Sequence, residues 1–433
     1  MEGMINTQDI AHREDVFLIV ADSTGDSLWS RHFGTPDYDF GGSLYCTPQG
    51  DIIVAYLVYG DSGTCLLTAF NADGDSLWTR SFGEVNLTTS PNKVFLTQEG
   101  EVAITGVLLI NQPITPFFWL AKLDSTNRQL WSRTYRDQEI TRCRDCIQTM
   151  DGGYALLGTF RRGNSSVYNL YLLRTDSDGE ILWSQVYDVG AYWATGSIVQ
   201  TNDDGFAIAA TVHRNRGWTD AILIRTDRNG DVLWTQEYDH SFGDDCQCLL
   251  ELPNTGFILT GHSKSENSDD NDAWIIIVNS QGEMLCSALI GGVGDQFCYL
   301  SRFTPDGSLV LGGYNFSGIF PYVFKCWLLK INFVINSTPE PLIFTPHYLS
   351  LYSYPNPFNA RTTITFDLAA SSAVNLTILD PLGRVVQELT PQEWMGAGKH
   401  SISADLSNIP AGGYIVRLTQ NNNYKTFPII LTK

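Results

Sequence analysis

The sequence is poor in charged residues, and poorest in positive charge. Charged residues make up 17% of its 433 residues, and 27 Lys and Arg stand against 47 Asp and Glu, which gives a formal net charge of −20. Nucleic acid and anionic membrane surfaces repel such a chain, so we expect neither as a partner. No apolar run approaches the roughly 20 residues that cross a bilayer, and we expect no transmembrane segment.

Targeting and disulfide patterns are also lacking. The N-terminal stretch MEGMINTQDIAHREDVF has no basic region followed by an apolar region, as a signal peptide would. The nine cysteines are odd in number and scattered, which excludes a dense disulfide scaffold. Aromatic residues reach 12% and there are 38 glycines, and this composition favours short strands and tight turns over helices.

A Leu-Trp pair recurs every 49 to 53 residues along most of the chain. The tryptophans of the five pairs are Trp29, Trp78, Trp131, Trp183 and Trp234, and Cys286 takes the sixth position. An apolar strand closed by Asp or Asn precedes each pair, from FLIVAD at 17–22 onward, and a seventh copy of that strand, CWLLKIN, ends at Asn332. A period of this length indicates a repeat architecture.

Six turns with hairpin residues lie between the Leu-Trp strands, from TPQGD at 47–51 to TPDGS at 304–308. Each repeat therefore predicts four antiparallel strands in two hairpins. Because such a sheet cannot bury both faces alone, the copies must stack against one another. We predict an all-β chain whose residues 1–334 form a β-propeller of six to seven blades.

The repeat resembles the blades of quinoprotein-type propellers, in which a hairpin glycine is followed four residues later by a docking tryptophan. Gly25, Gly74, Gly179 and Gly230 have this offset from a tryptophan. The resemblance implies that Trp29, Trp78, Trp131, Trp183 and Trp234 dock onto the next sheet. The hairpin here is one residue shorter, and the resemblance extends to blade construction only.

The number of blades is open between six and seven. There are six inner hairpins and six Leu-Trp strands, but seven copies of the strand that precedes them. Six blades could close by pairing the first Leu-Trp strand with the last blade, or a seventh blade could lack its first half. We favour the second, with the chain starting in mid-blade at Asp15–Asp22. The natural gene is then expected to start upstream of Met1 and to encode a signal peptide.

After Asn332 the repeat stops. Residues 335–352 contain Pro339, Pro341 and Pro346 and are expected to form a linker. Residues 353–433 contain about seven short strand-like segments and a net charge of +1, against −21 for the rest of the chain. This change in period and charge predicts a separate, small Ig-like β-sandwich.

The motifs of residues 353–433 resemble the C-terminal sorting domain of proteins exported by the bacterial type IX secretion system. The residues that carry the resemblance are Tyr354, Pro355, Asn356, Pro357, Phe358, Asp380, Gly383, Gly413, Tyr414 and the terminal Lys433. It implies export through the type IX machinery to the outer surface of a Gram-negative bacterium or to the medium. The alternative is a purely structural accessory domain, in which Asp380 makes a turn and Gly413 permits close packing beside Tyr414.

Metal chemistry has little support in the sequence. Cys143, Cys246 and Cys298 share one repeat position, so we expect small core residues, and Cys143 with Cys146 forms only a lone CxxC pair. The acidic loop SENSDDNDAW is the weak calcium candidate, through Glu266, Asp269, Asp270 and Asp272. A solvated loop is favoured, and no cofactor is expected.

The propeller's function is open between two classes. His213, His240, Trp193 and Trp218 are loop candidates for one face of the propeller, and the tryptophans suit sugar stacking as well as burial. We expect that the propeller is not an enzyme but a non-catalytic module that binds an extracellular glycan, protein or peptide. The alternative is a secreted carbohydrate- or peptide-active hydrolase or lyase with carboxylates at the channel mouth.

Overall fold

A computed structural model gives the fold of the chain. It describes residues 2–5, 15–22, 27–59, 63–83, 87–111, 114–136, 140–163, 165–191, 193–214, 218–239, 243–252, 255–264, 270–291, 294–317, 323–331, 351–354, 359–368, 371–380, 384–396, 398–420 and 423–432. Strands and turns, without a helix, make up these residues. The chain forms two compact units, Met1–Ile335 and Asn336–Lys433.

The described residues of the first unit form seven antiparallel sheets that follow one another along the chain. The three strands of sheet 1 are β1 (Glu2–Ile5), β2 (Asp15–Ala21) and β3 (Ser27–Phe33). Sheet 2 contains β4 (Tyr38–Cys46), β5 (Ile52–Tyr59), β6 (Thr64–Phe70) and β7 (Ser76–Phe82). Sheet 3 contains β8 (Thr88–Leu96), β9 (Val102–Asn111), β10 (Ile114–Leu123) and β11 (Gln129–Tyr135). Sheet 4 contains β12 (Ile140–Gln148), β13 (Tyr154–Phe160), β14 (Tyr168–Thr175) and β15 (Ile181–Ala191).

The remaining three sheets of this unit continue the series. Sheet 5 contains β16 (Trp193–Gln200), β17 (Phe206–Arg214), β18 (Trp218–Thr226) and β19 (Val232–Tyr238). Sheet 6 contains β20 (Asp245–Leu252), β21 (Gly256–Lys264), β22 (Asn271–Asn279) and β23 (Met284–Ile290). Sheet 7 has three strands, which are β24 (Asp295–Phe303), β25 (Leu309–Ser317) and β26 (Val323–Ile331). The five complete sheets run in simple up-and-down order, as the two-hairpin repeat predicts.

The sheets stack face to face around an axis, which makes the unit a β-propeller. The leading strands of successive sheets contact each other in the series β1, β4, β8, β12, β16, β20 and β24. The core lies between the blades, where alternate residues of one sheet meet the opposite face of the next. Between sheets 5 and 6, for example, Ala221 and Leu223 pack with Trp274 and Ile276. The all-β propeller prediction is confirmed.

The first and last sheets each have three strands among the described residues. In sheet 1, β2 and β3 correspond to the third and fourth strands of a complete blade. The sequence analysis expected the chain to start in mid-blade, with no inner hairpin before these strands. The structure adds one short strand that the analysis did not predict, since β1 pairs with Asp15–Leu18 of β2. Since β1 has four residues, its pattern was too short to predict a strand.

The second unit is a two-sheet β-sandwich with seven strands. One sheet has the order β27 (Leu351–Tyr354), β28 (Arg361–Leu368) and β31 (Gly398–Asp405). The other has the order β30 (Val385–Met395), β29 (Ser372–Leu379), β32 (Gly412–Gln420) and β33 (Asn423–Leu431). Alternate apolar residues of the two sheets form its core, including Phe366, Leu376 and Val416. The linker assigned to 335–352 lies outside the described residues, except for Leu351 and Tyr352.

Candidate functional site

Each blade of the propeller has two different ends. The Thr-containing hairpin turns predicted from the sequence, such as 47–51, lie at one end, which we call the turn end. At the other end, the loop end, the first and third strands begin and the second strand finishes. The loop end is more varied in sequence between blades, and it contains the polar and aromatic side chains described next.

An aromatic cluster lies between sheets 6 and 7, on the loop-end half of their first two strands. It consists of Asp245, His262, Phe297, Tyr299 and Tyr314. The imidazole Nε2 of His262 lies 2.9 Å from Asp245 Oδ2, and the ring centroids of His262 and Phe297 are 4.8 Å apart. Tyr299 stacks on Tyr314 with 5.5 Å between centroids and 15° between ring planes.

Exposure differs sharply within the aromatic cluster. His262 is 5% exposed, and its Nδ1 has no hydrogen-bond partner in the described part of the chain. Tyr299 is 44% exposed, because it is the extra residue of a β-bulge between Cys298 and Leu300. A rigid, buried base therefore supports one solvent-facing tyrosine ring.

Eight aspartates lie at the loop end of sheets 6, 7, 1 and 2. They are Asp244, Asp245, Asp270, Asp272, Asp295, Asp15, Asp37 and Asp39. Several accept hydrogen bonds from nearby groups. Asn271 donates its backbone N–H (2.9 Å) and side-chain amide (2.7 Å) to Asp295 Oδ1, and the Thr35 backbone N–H donates to Asp39 (2.6 Å). Burial raises the pKa of Asp39 in spite of its hydrogen bonds to Thr35.

A second polar group crosses three blades near the axis. Asp145 on β12 accepts hydrogen bonds from the ammonium of Lys93 (2.5 Å) in the preceding blade, and from the Ser197 hydroxyl (3.0 Å) and Ile198 backbone N–H (3.0 Å) in the following one. Burial opposes the charged carboxylate, but Lys93 and the hydrogen bonds outweigh burial and lower the pKa of Asp145. Because its oxygens are occupied by these donors, Asp145 is a structural residue.

The cysteines at one repeat position are core residues, as the sequence predicts. Cys143, Cys246 and Cys298 are at most 2% exposed. Burial raises the pKa of each thiol, so none is an activated nucleophile. Cys143 and Cys146 are both buried and both free, which leaves the CxxC pair without a disulfide.

The repeat tryptophans lie against the hairpin of the following blade. A Cβ added to Gly230 would lie 2.8 Å from the Trp183 ring, and Gly74, Gly179 and Gly282 meet Trp29, Trp131 and Trp234 in the same way. Trp29 also donates its indole N–H to the Ala72 carbonyl at 2.8 Å. Trp78 packs on the core between sheets 2 and 3, where Asn127 takes the glycine position with a positive φ of 60°.

The sequence analysis missed a tyrosine that completes three of these contacts. Tyr135, Tyr187 and Tyr238 follow their tryptophans by four residues and donate their hydroxyls to the carbonyls of Gly179, Gly230 and Gly282 at 2.8, 3.0 and 2.8 Å. The signal was present in the sequence, since an aromatic residue stands at this offset in five of the six repeats. The aromatic cluster gave no such signal, because it occurs once.

The other predicted candidates fall partly outside the described residues. Glu266, Asp269 and His240 lie outside, and the side chains of Trp193 and Trp218 are not described although their backbones begin β16 and β18. His213 is half-buried on β17. Asp270 Oδ2 accepts a hydrogen bond from the Gly294 backbone N–H (3.2 Å). Within the ranges that the structure describes, no group of three His, Cys, Asp or Glu residues could hold a metal ion.

The sorting motif is spread over the second unit. Pro355, Asn356, Pro357, Phe358, Gly383 and Lys433 lie outside the described residues. Tyr354 ends β27, and Asp380 closes a turn in which it accepts hydrogen bonds from the backbone and side chain of Arg384 (2.9 and 2.6 Å). Tyr414 is in the core and donates its hydroxyl to the Pro410 carbonyl (2.7 Å).

One structural role expected for this motif was wrong. Gly413 was expected to permit close packing beside Tyr414, but a Cβ placed there would meet nothing within 4 Å. Gly413 itself is exposed, close to the start of β32.

Comparison with known families identifies this second unit. Residues 352–432 match the family described as the secretion system C-terminal sorting domain. The chain therefore carries a type IX sorting domain at its C-terminal end. None of the curated proteins matches the chain in sequence. In the part of the chain that the structure describes, no helix is long and apolar enough to cross a membrane.

Solved structures similar to the chain include β-propeller proteins. The β-propeller domain of the Trilobed protease from Pyrococcus furiosus is 8% identical, with a TM-score of 0.39, and covers 91% of this chain and 96% of that one. Sqt1 from Chaetomium thermophilum is 12% identical, with a TM-score of 0.44, and the match covers 100% of this chain and 92% of Sqt1. The acylaminoacyl peptidase of Pyrococcus horikoshii is 9% identical, with a TM-score of 0.40. The match covers 90% of this chain, and this chain spans only 57% of the length of the peptidase. None of these values identifies an activity.

Proposed function

We propose that the propeller is a non-catalytic binding module that recognises an extracellular glycan at its loop end. The sorting domain is the part of the chain that the type IX machinery reads, so the protein is secreted or displayed at the cell surface. Ligands met in that location include polysaccharides, proteins and peptides.

The exposed Tyr299 ring is the observation that carries the proposal. An aromatic ring held flat by a stacked neighbour offers an apolar face for a sugar ring at low entropic cost, because it is already ordered. Tyr314 provides this support from the same sheet, with 5.5 Å between its ring centroid and that of Tyr299. The Phe297 ring lies 6.4 Å from the Tyr299 ring and 5.1 Å from the Tyr314 ring. Aspartates at the loop end can accept hydrogen bonds from sugar hydroxyls.

The carboxylates near the axis favour binding over hydrolysis. A glycosidase needs one carboxylic acid and one carboxylate that are both free to react with the substrate. Asp145 is occupied by donors from three residues, and Asp39 is buried and hydrogen-bonded to Thr35. The Asp245 and His262 pair is directed into the protein, under the Tyr299 ring.

Affinity electrophoresis in gels that contain dextran, laminarin, xylan or pullulan tests the proposal. We expect at least one of these polysaccharides to retard the protein, and Tyr299→Ala to weaken that retardation by about ten-fold, since one stacking contact contributes roughly 1–1.5 kcal/mol. Tyr299→Phe, which keeps the ring, should bind nearly as tightly as the native chain. Leu182→Ala, at an exposed position on the outer strand β15, is the matched control.

Two results would overturn this function. Retardation that is unchanged in Tyr299→Ala places the ligand elsewhere on the chain. Release of reducing sugar from the retarding polysaccharide, measured in the same incubations, would favour the hydrolase alternative.

A further inference from the structure

Arginine side chains are clustered on one sector of the propeller's loop end. They lie just after β11, in the loop-end half of β12 and just after β13, which is the loop end of sheet 4 and the adjoining end of sheet 3. This arginine surface consists of Arg136, Arg142, Arg144, Arg161 and Arg162. The repeat position of Arg142 is occupied by Asp245 in sheet 6, because each residue directly precedes a repeat cysteine. Sheets 4 and 6 therefore present opposite charges at the same end of the propeller.

Most of the arginine surface is open to solvent. Four of its five side chains are exposed, and that of Arg144 is half-buried. Within the ranges that the structure describes, Arg142, Arg161 and Arg162 form no ion pair with a carboxylate. These three guanidinium groups can therefore meet an anionic ligand without first breaking an ion pair to a described residue.

The described carboxylates near the arginine surface are held by other donors. Asp188, on β15, accepts a hydrogen bond from the Gly190 backbone N–H (3.2 Å), and Asp145 accepts its hydrogen bonds from the two neighbouring blades. Asp137 and Glu139, between β11 and β12, lie outside the described residues. Among the described side chains of sheet 4 at this end, positive charge is in excess.

Contacts within sheet 4 hold the arginines at the open end of the β12–β13 hairpin. Arg142 pairs with Thr159 across the two strands, and Arg161 comes two residues after Thr159. The Arg161 guanidinium carbon lies 5.6 Å from the centroid of the Tyr168 ring, and Arg161 donates a hydrogen bond to the Tyr168 hydroxyl (3.4 Å). Burial and the nearby charge of Arg142 lower the pKa of Arg144 to about 10, so Arg144 is still protonated at neutral pH. A bound anion would offset both effects, which a neutral ligand would not.

We propose that the arginine surface binds an acidic polysaccharide through its carboxylate or sulfate groups. A guanidinium group presents parallel N–H donors that match either group, and stacking on a ring such as Tyr168 leaves those donors available. The ligand class rests on the proposed glycan-binding function, but the residues are separate from the aromatic cluster around Tyr299.

Nucleic acid fits this end of the propeller less well than an acidic polysaccharide. A nucleic acid has a continuous series of phosphates, and those that extend beyond the arginine surface would be repelled by the aspartates of the other sheets. A polysaccharide that carries charge on some of its sugars offers hydroxyl groups elsewhere, and aspartates can accept hydrogen bonds from them.

Biolayer interferometry with immobilised dextran, carboxymethyl-dextran and dextran sulfate tests the proposal on the full chain. The three probes share one backbone and differ in the charged group, so the more tightly bound of the two acidic probes identifies carboxylate or sulfate as the better ligand. We expect at least one acidic probe to bind about ten-fold or more tightly than dextran. Arg142→Gln and Arg162→Gln should each weaken that binding by about ten-fold, because each removes a charge-assisted hydrogen-bond donor.

Arg228→Gln is the matched control. Arg228 is exposed in the hairpin turn between β18 and β19, at the turn end, and its replacement changes the net charge by the same amount. This variant should bind the acidic probes like the native chain. Equal losses in Arg142→Gln and Arg228→Gln, or no loss in either, would overturn the arginine site.

Two further outcomes separate this inference from the proposed function. Equal binding of dextran and both acidic probes, with a loss in Tyr299→Ala, would overturn the arginine site and leave neutral glycan binding in place. Binding of an acidic probe that depends on Arg142 but not on Tyr299 would support the arginine site alone. A single-stranded oligonucleotide that competes as well as the free acidic polysaccharide would overturn the assigned ligand class.

Discussion

At the scale of single residues, Asp145 is the centre of a short polar contact between blades. Its carboxylate joins Lys93 of sheet 3 to Ser197 and Ile198 of sheet 5, so one side chain fixes three consecutive blades. The sequence shows an ordinary Arg-Asp-Cys triplet at this point. The partners are about 50 residues away in each direction, and only the repeat register brings them together.

Asp145→Ala is expected to destabilise the propeller strongly. The change leaves the Lys93 ammonium partly buried without its partner, and losing one member of a buried ion pair costs about 3–5 kcal/mol in the free energy of unfolding. Urea unfolding at pH 7 measures this cost. The exposed Asp73→Ala is the control and should change stability by less than about 0.5 kcal/mol. An equal effect of the two changes would contradict the role assigned to Asp145.

The same carboxylate gives a pH dependence whose sign follows from its pKa. Since the folded-state pKa of Asp145 is lower than its ordinary value of 3.8, its contribution to stability is present above that value. The contribution is lost as the pH falls below about 4 and through the folded-state pKa. Asp145→Asn should therefore show a smaller loss of stability than the native chain between pH 5 and pH 2.5. Parallel pH profiles would show that Asp145 is not the group responsible.

At the scale of elements, the joint between blades combines a tryptophan, a tyrosine and a glycine. Trp183 covers Gly230, while the Tyr187 hydroxyl bonds the Gly230 carbonyl at 3.0 Å. Gly230 has a φ of +81°, which is costly for any side chain, and has no room for one. The glycine is therefore required for two separate reasons.

A matched pair of substitutions separates these two reasons. Gly230→Ala and Gly307→Ala both place a Cβ at a φ of about +80°, but only the first Cβ meets a tryptophan ring. Gly307→Ala should cost about 1 kcal/mol for the backbone alone, and Gly230→Ala about 1–3 kcal/mol more for overpacking. Chemical unfolding of the two variants checks the difference. Equal losses of stability in the two variants would mean that the Trp183 ring moves aside at no cost in free energy.

Repetition decided which elements could be predicted from the sequence. The third strands, turns and docking tryptophans recur, so the turn at 47–51 and Trp183 were placed correctly within their blades. The bulge that contains Tyr299 recurs at the same position in the first strands of sheets 2, 3, 4 and 6. The extra residue there is Gly42, Asn92, Arg144 or Gln247, so the repeat gave no signal for an aromatic side chain at this position. β1 was missed because four residues give too short a pattern for a strand.

At the scale of the whole molecule, the propeller and the sandwich have separate cores. The sandwich core cluster contains residues from 364 to 431 only, and the propeller clusters contain none of these. A chain that ends at residue 352 should therefore unfold at the same temperature as the propeller in the full chain, within about 2 °C. Thermal unfolding followed by tryptophan fluorescence measures this. A clear fall in the propeller's transition would contradict independent folding.

The charge of the two units also differs in a way that suits their roles. Residues 353–433 have a net charge of +1, while the rest of the chain has −21. A strongly acidic propeller remains soluble and is repelled by anionic surfaces. The export signal is nearly neutral, so its recognition by the secretion machinery is expected to depend on shape and apolar contact more than on long-range attraction.

The most direct test of the account is the mass of the protein outside the cell. Intact-mass analysis of the cell-surface and culture-medium fractions of the native host should find the propeller there, with the sorting domain at 353–433 removed or linked to a surface anchor. Detection of the chain only in the cytoplasm, at its full 48.2 kDa, would contradict export and with it the extracellular binding function.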